Sequence, residues 1–159
     1  MKELLTKVYN FPIFMGTLWS TGPLSQLPAL QDFVKGYMRS LANSVIWAKG
    51  KSKVETPDQM AKEWQRLMPD AEHFPVTDSD ERTGYAEIHL HCPLRGTGNA
   101  AACWRLMEFD RAIVESFGGQ LIVVESQSTS GKDFCRVAIR KQGEDVSDLA
   151  TAYNPRVEN

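Results

Sequence analysis

The sequence predicts an α+β domain in which helices pack on one face of a largely antiparallel sheet. Three observations lead there. Apolar residues recur at helical spacing over residues 29–48 and again after Thr56. Residues 85–92 (YAEIHLHC) alternate as a strand, and residues 120–127 and 133–141 read as two more. The C-terminal half thus runs strand, helix, strand, hairpin, with two helices in front, which is the order of a mixed sandwich. A chain of 159 residues fits one domain over 1–159, long enough to bury a core without disulfides or metal staples.

The N-terminal segment, residues 1–28, is rich in aromatic residues. Residues 9–19 (YNFPIFMGTLW) carry Tyr9, Phe11, Phe14 and Trp19 and no charge, so the stretch must be covered by its own core, by a pocket or across a homodimer. Gly22, Pro23 and Pro28 make residues 20–28 read as a loop. In the helix over 29–48, Leu30, Val34, Tyr37, Leu41 and Val45 form the apolar stripe, and Gly50 with the basic KGKSK marks its end. The next helix starts at Thr56 as N-cap, with Pro57 at the first helical position and Gln59 completing a capping box. Met60, Trp64 and Leu67 form its buried face, and Pro69 stops it. Residues 70–84 read as a polar loop with a short strand near Phe74 to Thr77. After the turn PLRGTG, Thr97 or Asn99 caps a helix that runs to Phe117, with Gly118 beyond its end. From about Gly143 to 159 the chain reads as a loosely held tail.

Composition narrows the class. The hydrophobic content of 42% and charged content of 24% are those of a globular protein. A formal charge of −2 gives no general attraction to nucleic acid or to anionic membranes, and neither is expected as a partner. The apolar N-terminus is interrupted by Lys7, Asn10 and Pro12, which argues against a signal peptide. Cys92, Cys103 and Cys135 form an odd set with no close pair, which suits a reducing compartment and a cytoplasmic location.

Strand periodicity places Ala86, Ile88, Leu90 and Cys92 on one face, and Tyr85, Glu87, His89 and His91 on the other. Cys92 therefore ends a core-facing row beside a turn, where a thiol can face a cleft. In the helix that follows, Cys103, Met107, Asp110, Val114 and Phe117 share one stripe. Asp110 is a carboxylate where the pattern asks for an apolar residue, so it is either hydrogen-bonded scaffolding or functional. In the last strand Cys135, Val137 and Ile139 face inward, and Arg136 and Arg140 outward. Cys103 and Cys135 read as small hydrophobes. His89 and His91 make an H-x-H row with no matching third ligand, so no metal and no cofactor are expected. The short GxG of RGTGNA is too brief to specify a phosphate cradle.

From Cys92 onward the layout HLHCPLR, LMEFDRAIV and VVESQSTSGKDFCRVAIRK resembles the aminothiazoline-carboxylate hydrolase family. Its ending, small-Gly-x-x-Cys-x-hydrophobic, also resembles the vinyl-reductase-type hydrocarbon-binding domains. Both resemblances cover residues 85–141. The first implies cleavage of a non-peptide C–N bond in a small molecule, with Cys92 as nucleophile, Asp110, Ser126 and Ser128 in the site, and Cys135 structural. The strand here reads ESQSTSG where that resemblance leads one to expect an Arg-x-x-Thr pattern. The second implies a module that binds a small apolar molecule without chemistry. On the hydrolase reading Cys92 attacks, aided by a base reached through Asp110 or by His73. Arg95 holds a substrate carboxylate, and Ser126, Gln127 and Ser128 orient the substrate. An enzyme requires Cys92 in an open cleft with an acid or base in reach; a binding or sensor domain requires a closed, mainly apolar cavity.

Overall fold

The computed structural model describes residues 2–153, with side chains from Phe11 onward; the expectations for Tyr9 and for residues 154–159 fall outside this range. The fold is α+β, with a four-stranded antiparallel sheet. In chain order the helices are α1 (Lys2–Ser25), α2 (Gln31–Lys49), α3 (Pro57–Leu67), α4 (Ala100–Leu106), α5 (Glu108–Ser116) and the single turn α6 (Gln127–Ser130). The strands are β1 (Val76–Ser79), β2 (Gly84–Ile88), β3 (Gly119–Glu125) and β4 (Cys135–Lys141), arranged β1-β2-β4-β3. None of the described helices is long and apolar enough to cross a membrane.

Local signals are obeyed where they are strongest. Thr56 accepts a hydrogen bond from the Gln59 amide at 3.2 Å, and the Gln59 side chain accepts from the Thr56 amide, closing the capping box. Such a cap is worth about 1 kcal/mol. It starts α3 at a fixed residue and so aims Met60, Trp64 and Leu67 into the core. Asn99 caps α4 in the same way, accepting from the Ala102 amide at 2.9 Å.

Three expectations are corrected. Residues 20–28 are not a loop throughout, because α1 continues to Ser25. Gly22 is buried against the Pro93 ring, with no room for a Cβ, so this glycine serves close packing rather than a turn. The stripe of α2 is rotated: Val34, Met38 and Ala42 are buried, while Tyr37 is 40% exposed. The helix predicted to run to Phe117 bends at Met107, although the hydrogen bonds Met107 N to Cys103 O and Arg111 N to Met107 O carry the ladder through. Arg140 faces outward as expected, yet it is only 3% exposed. It lies on the face away from the helices, but residues after Gly143 fold back over it. Its guanidinium donates to both carboxylate oxygens of Asp148, at 2.6 and 2.8 Å, and to Thr83 Oγ1 at 2.8 Å. The same segment is tied to β3 by the Ala152 amide and ends with Tyr153 buried.

β2 ends at Ile88, not at Cys92, because its partner β4 begins at Cys135, the residue opposite Ile88. Beyond that point a side chain replaces the strand. Gln127 donates from Nε2 to Leu90 O at 2.6 Å and accepts the Cys92 amide on Oε1 at 3.1 Å. Leu90 and Cys92 therefore keep their inward direction after the sheet has ended, and the strand end is held over the helical layer.

Candidate functional site

The inward row of β2, the inward row of β4 and the stripe of α4 and α5 converge on one chamber of about 70 Å³. Cys92, Cys103, Cys135 and Asp110 all line it, so the strand-end thiol and the helical acid do share one space. Phe14, Thr17 and Leu18 of α1 close it, with Met38 and Leu41 of α2 beside them. The aromatic N-terminal segment thus covers the chamber. Its position is fixed at one end by Gly22 against Pro93, by Trp19 stacked on His91 and by Arg105 donating to Ser25 O. A second, more open groove of about 340 Å³ lies between α1 and α2 and reaches Leu67 of α3. Phe14, Thr17, Leu41 and Phe109 form walls of both spaces.

Asp110 is 7% exposed. Its Oδ1 accepts from the buried Trp64 indole at 2.9 Å, and no other side-chain donor reaches the carboxyl among the described residues. Burial raises its pKa to about 6, against the opposing pull of the Trp64 hydrogen bond and the nearby Arg111 charge. The sequence marked Asp110 as out of place, but nothing in it pointed to Trp64, which read only as part of an apolar face.

Cys92 is half-buried, and its thiol is pushed up to about 11, mainly by burial. Cys135 is held higher still, at about 12, for the same reason. A thiol at about 11 is ionised in roughly one molecule in ten thousand at pH 7, so neither is primed to attack.

The remaining expected site residues take other places. His73 is not part of the chamber wall; its ring pairs with Asp70 at 3.0 Å and packs against Phe11. Arg95 is likewise outside the wall, and its Nε donates to Gln127 Oε1 at 2.8 Å. Gln127 does line the chamber, but its amide is spent on Leu90, Cys92 and Arg95. Ser126 caps α6, accepting from the Ser128 amide, and its hydroxyl lies 2.8 Å from that of Ser128 and 3.2 Å from Cys103 Sγ. Tyr153 Oη reaches the same sulfur at 3.2 Å, so these groups form a buried polar chain behind the chamber. His89 pairs with Glu87 and stacks on Phe134, away from Cys92. Among the described residues, no three His, Cys, Asp or Glu side chains are grouped to hold a metal.

Comparison with protein-family models, curated proteins and solved structures gives no match. Inference about this chain therefore rests on its own chamber: an apolar enclosure carrying three thiols and one carboxyl with spare acceptor capacity.

Proposed function

We propose that the protein binds a small, mainly apolar molecule bearing one cationic or hydrogen-bond-donating group, as a binding or sensor domain in the cytoplasm. The observation that carries this reading is Asp110: a buried carboxyl in an apolar chamber, with Trp64 its single side-chain donor among the described residues. An ionised carboxylate there is costly unless a partner supplies hydrogen bonds or opposite charge. A ligand amine or hydroxyl would supply it, while the walls take up the apolar part. The unpaired cysteines suit a reducing compartment.

The chamber holds a compact ligand at most. A ligand of ordinary size needs roughly 300 Å³ or more, which the neighbouring groove offers once Phe14 turns aside. This reading is better supported than hydrolysis of a C–N bond by Cys92, because the Cys92 thiol stays protonated and His73 is engaged with Asp70.

The test is a thermal-shift titration with benzylamine and with toluene, alike in shape and different in charge. Benzylamine should stabilise the protein above pH 7, toluene less so. Asp110→Asn should erase the preference while leaving any toluene response. Leu106→Trp, which fills the chamber, should abolish both. If neither compound stabilises the wild type at millimolar concentration, or Leu106→Trp responds as the wild type does, the chamber is not a ligand site.

A further inference from the structure

The buried side of α2 is formed by Val34, Met38 and Ala42, and its outer side is unusual. Trp47 is 88% exposed and Phe33 62% exposed, values rare for rings of this size. Tyr37, 40% exposed, stacks on Phe33 with ring centroids 6.2 Å apart. Between the aromatic ends Gly36, Ser40 and Ser44 recur at four-residue steps as small exposed positions, flanked by exposed Tyr37, Arg39 and Asn43. Nothing lies within 4 Å of where a Gly36 Cβ would stand.

The arrangement is symmetric. Phe33 and Trp47 each stand seven residues from Ser40, and Gly36 and Ser44 each stand four. At about 3.6 residues per turn, seven residues is close to two turns, so Phe33, Ser40 and Trp47 fall on one line along the outer face. A face with this pattern is complementary to itself when reversed: each Trp47 meets a Phe33, and each Gly36 meets a Ser44. Small residues at the centre let two helices approach to the ~8 Å end of the usual spacing.

We propose that this face of α2 is a self-association surface, on which two copies of the chain pair antiparallel about a two-fold axis through Ser40. This is an isologous contact, with the same patch used by both copies. An antiparallel pair also opposes the two helix dipoles favourably. The area suffices. Taking 150–250 Å² per buried aromatic, the exposed parts of Phe33, Tyr37 and Trp47 amount to on the order of 400 Å² per copy, or about 800 Å² for the pair. The small residues and the charged rim bring this to the ~1,000 Å² that a specific interface requires. Trp47 and Phe33 are its anchors.

The surface is separate from the chamber, so the two readings fail independently. Sedimentation equilibrium of the whole chain should give a dimer, and Trp47→Glu should raise its dissociation constant by at least about 100-fold. Because Trp47 is exposed, that variant should fold normally, as far-ultraviolet circular dichroism would show. Mild oxidation of Ser40→Cys should yield a disulfide-linked dimer beyond the wild-type background, since the two Cα atoms meet near the axis. Gly36→Cys alone should not cross-link, whereas a mixture of Gly36→Cys and Ser44→Cys proteins should. A monomer at about 100 µM, a dimer indifferent to Trp47→Glu, or self-linking of Gly36→Cys would each overturn the proposal.

Discussion

Asp110→Asn offers the sharpest test of the chamber, because the effect of its charge can be separated from that of its shape. In the folded protein burial raises the carboxyl pKa from 3.8 to about 6. The folded state therefore binds the proton more tightly than the unfolded state does. Between pH 4 and pH 6 stability falls as pH rises, and above that range the full penalty of the buried charge is present. A displacement from 3.8 to about 6 corresponds to about 3 kcal/mol at 1.36 kcal/mol per tenfold change in proton affinity. Asparagine can still accept the Trp64 indole hydrogen bond but cannot ionise. Its own NH₂ adds a constant offset of about 1–3 kcal/mol if it finds no partner. The offset does not vary with pH, so the informative quantity is the change in the difference between variant and wild type. Urea unfolding of both proteins from pH 4 to pH 8 should show Asp110→Asn gaining about 3 kcal/mol on the wild type, with a plateau above pH 7. In a chain of this length that is a relative shift in Tm of about 6–12 °C. A difference that stays flat across this range, or that moves against the variant, would mean that the carboxylate is already compensated, and the argument for a ligand donor would fall with it.

Three further outcomes follow from the packing around the chamber. At pH 7.5 all three thiols should react slowly with a disulfide reagent, Cys92 fastest because it is half-buried; Cys92 reacting as readily as free cysteine would disprove its neutral, shielded state. Gln127→Ala should cost about 2–4 kcal/mol in urea unfolding, since it strands Leu90 O, the Cys92 amide and Arg95 Nε together, and a loss under 0.5 kcal/mol would refute its role as the clamp of the strand end. Gly22→Val should force α1 away from Pro93 and raise amide hydrogen exchange in residues 11–25 without melting the sheet; unchanged exchange would show that this contact does not hold α1 down.

What could be read from the sequence was what short-range chemistry decides. The start of α3 depends on Thr56, Pro57 and Gln59 alone, and the inward facing of Ala86, Ile88 and Cys135 depends on alternation within their own strands. The readings that changed depend on residues far away in sequence. Gly22 signals a break until Pro93 is known to lie against it. Tyr37 fits an apolar stripe, and only the placement of α2 over α4 and α5 turns it outward. Arg140 alternates outward as expected, and Asp148 then folds over it. In the candidate site the shared space of Cys92 and Asp110 followed from two periodicities. Trp64 and the clamp by Gln127 did not, because each joins elements separated by many residues.

The strand order has a consequence for synthesis. β4 is the last of the described strands to be made, yet it sits between β2 and β3 and supplies every strand partner that β3 has among the described residues. On a ribosome, helices and the β1-β2 hairpin can form as they emerge, but the inward sides of β2 and β3 have no complete sheet until residue 141 has cleared the exit tunnel. A nascent chain halted between β3 and β4 would carry Leu121 and Val123 on an unpaired edge, the kind of segment that chaperones engage. Joining the sheet depends on contacts distant in sequence, so β4 should govern the speed of folding out of proportion to its seven residues.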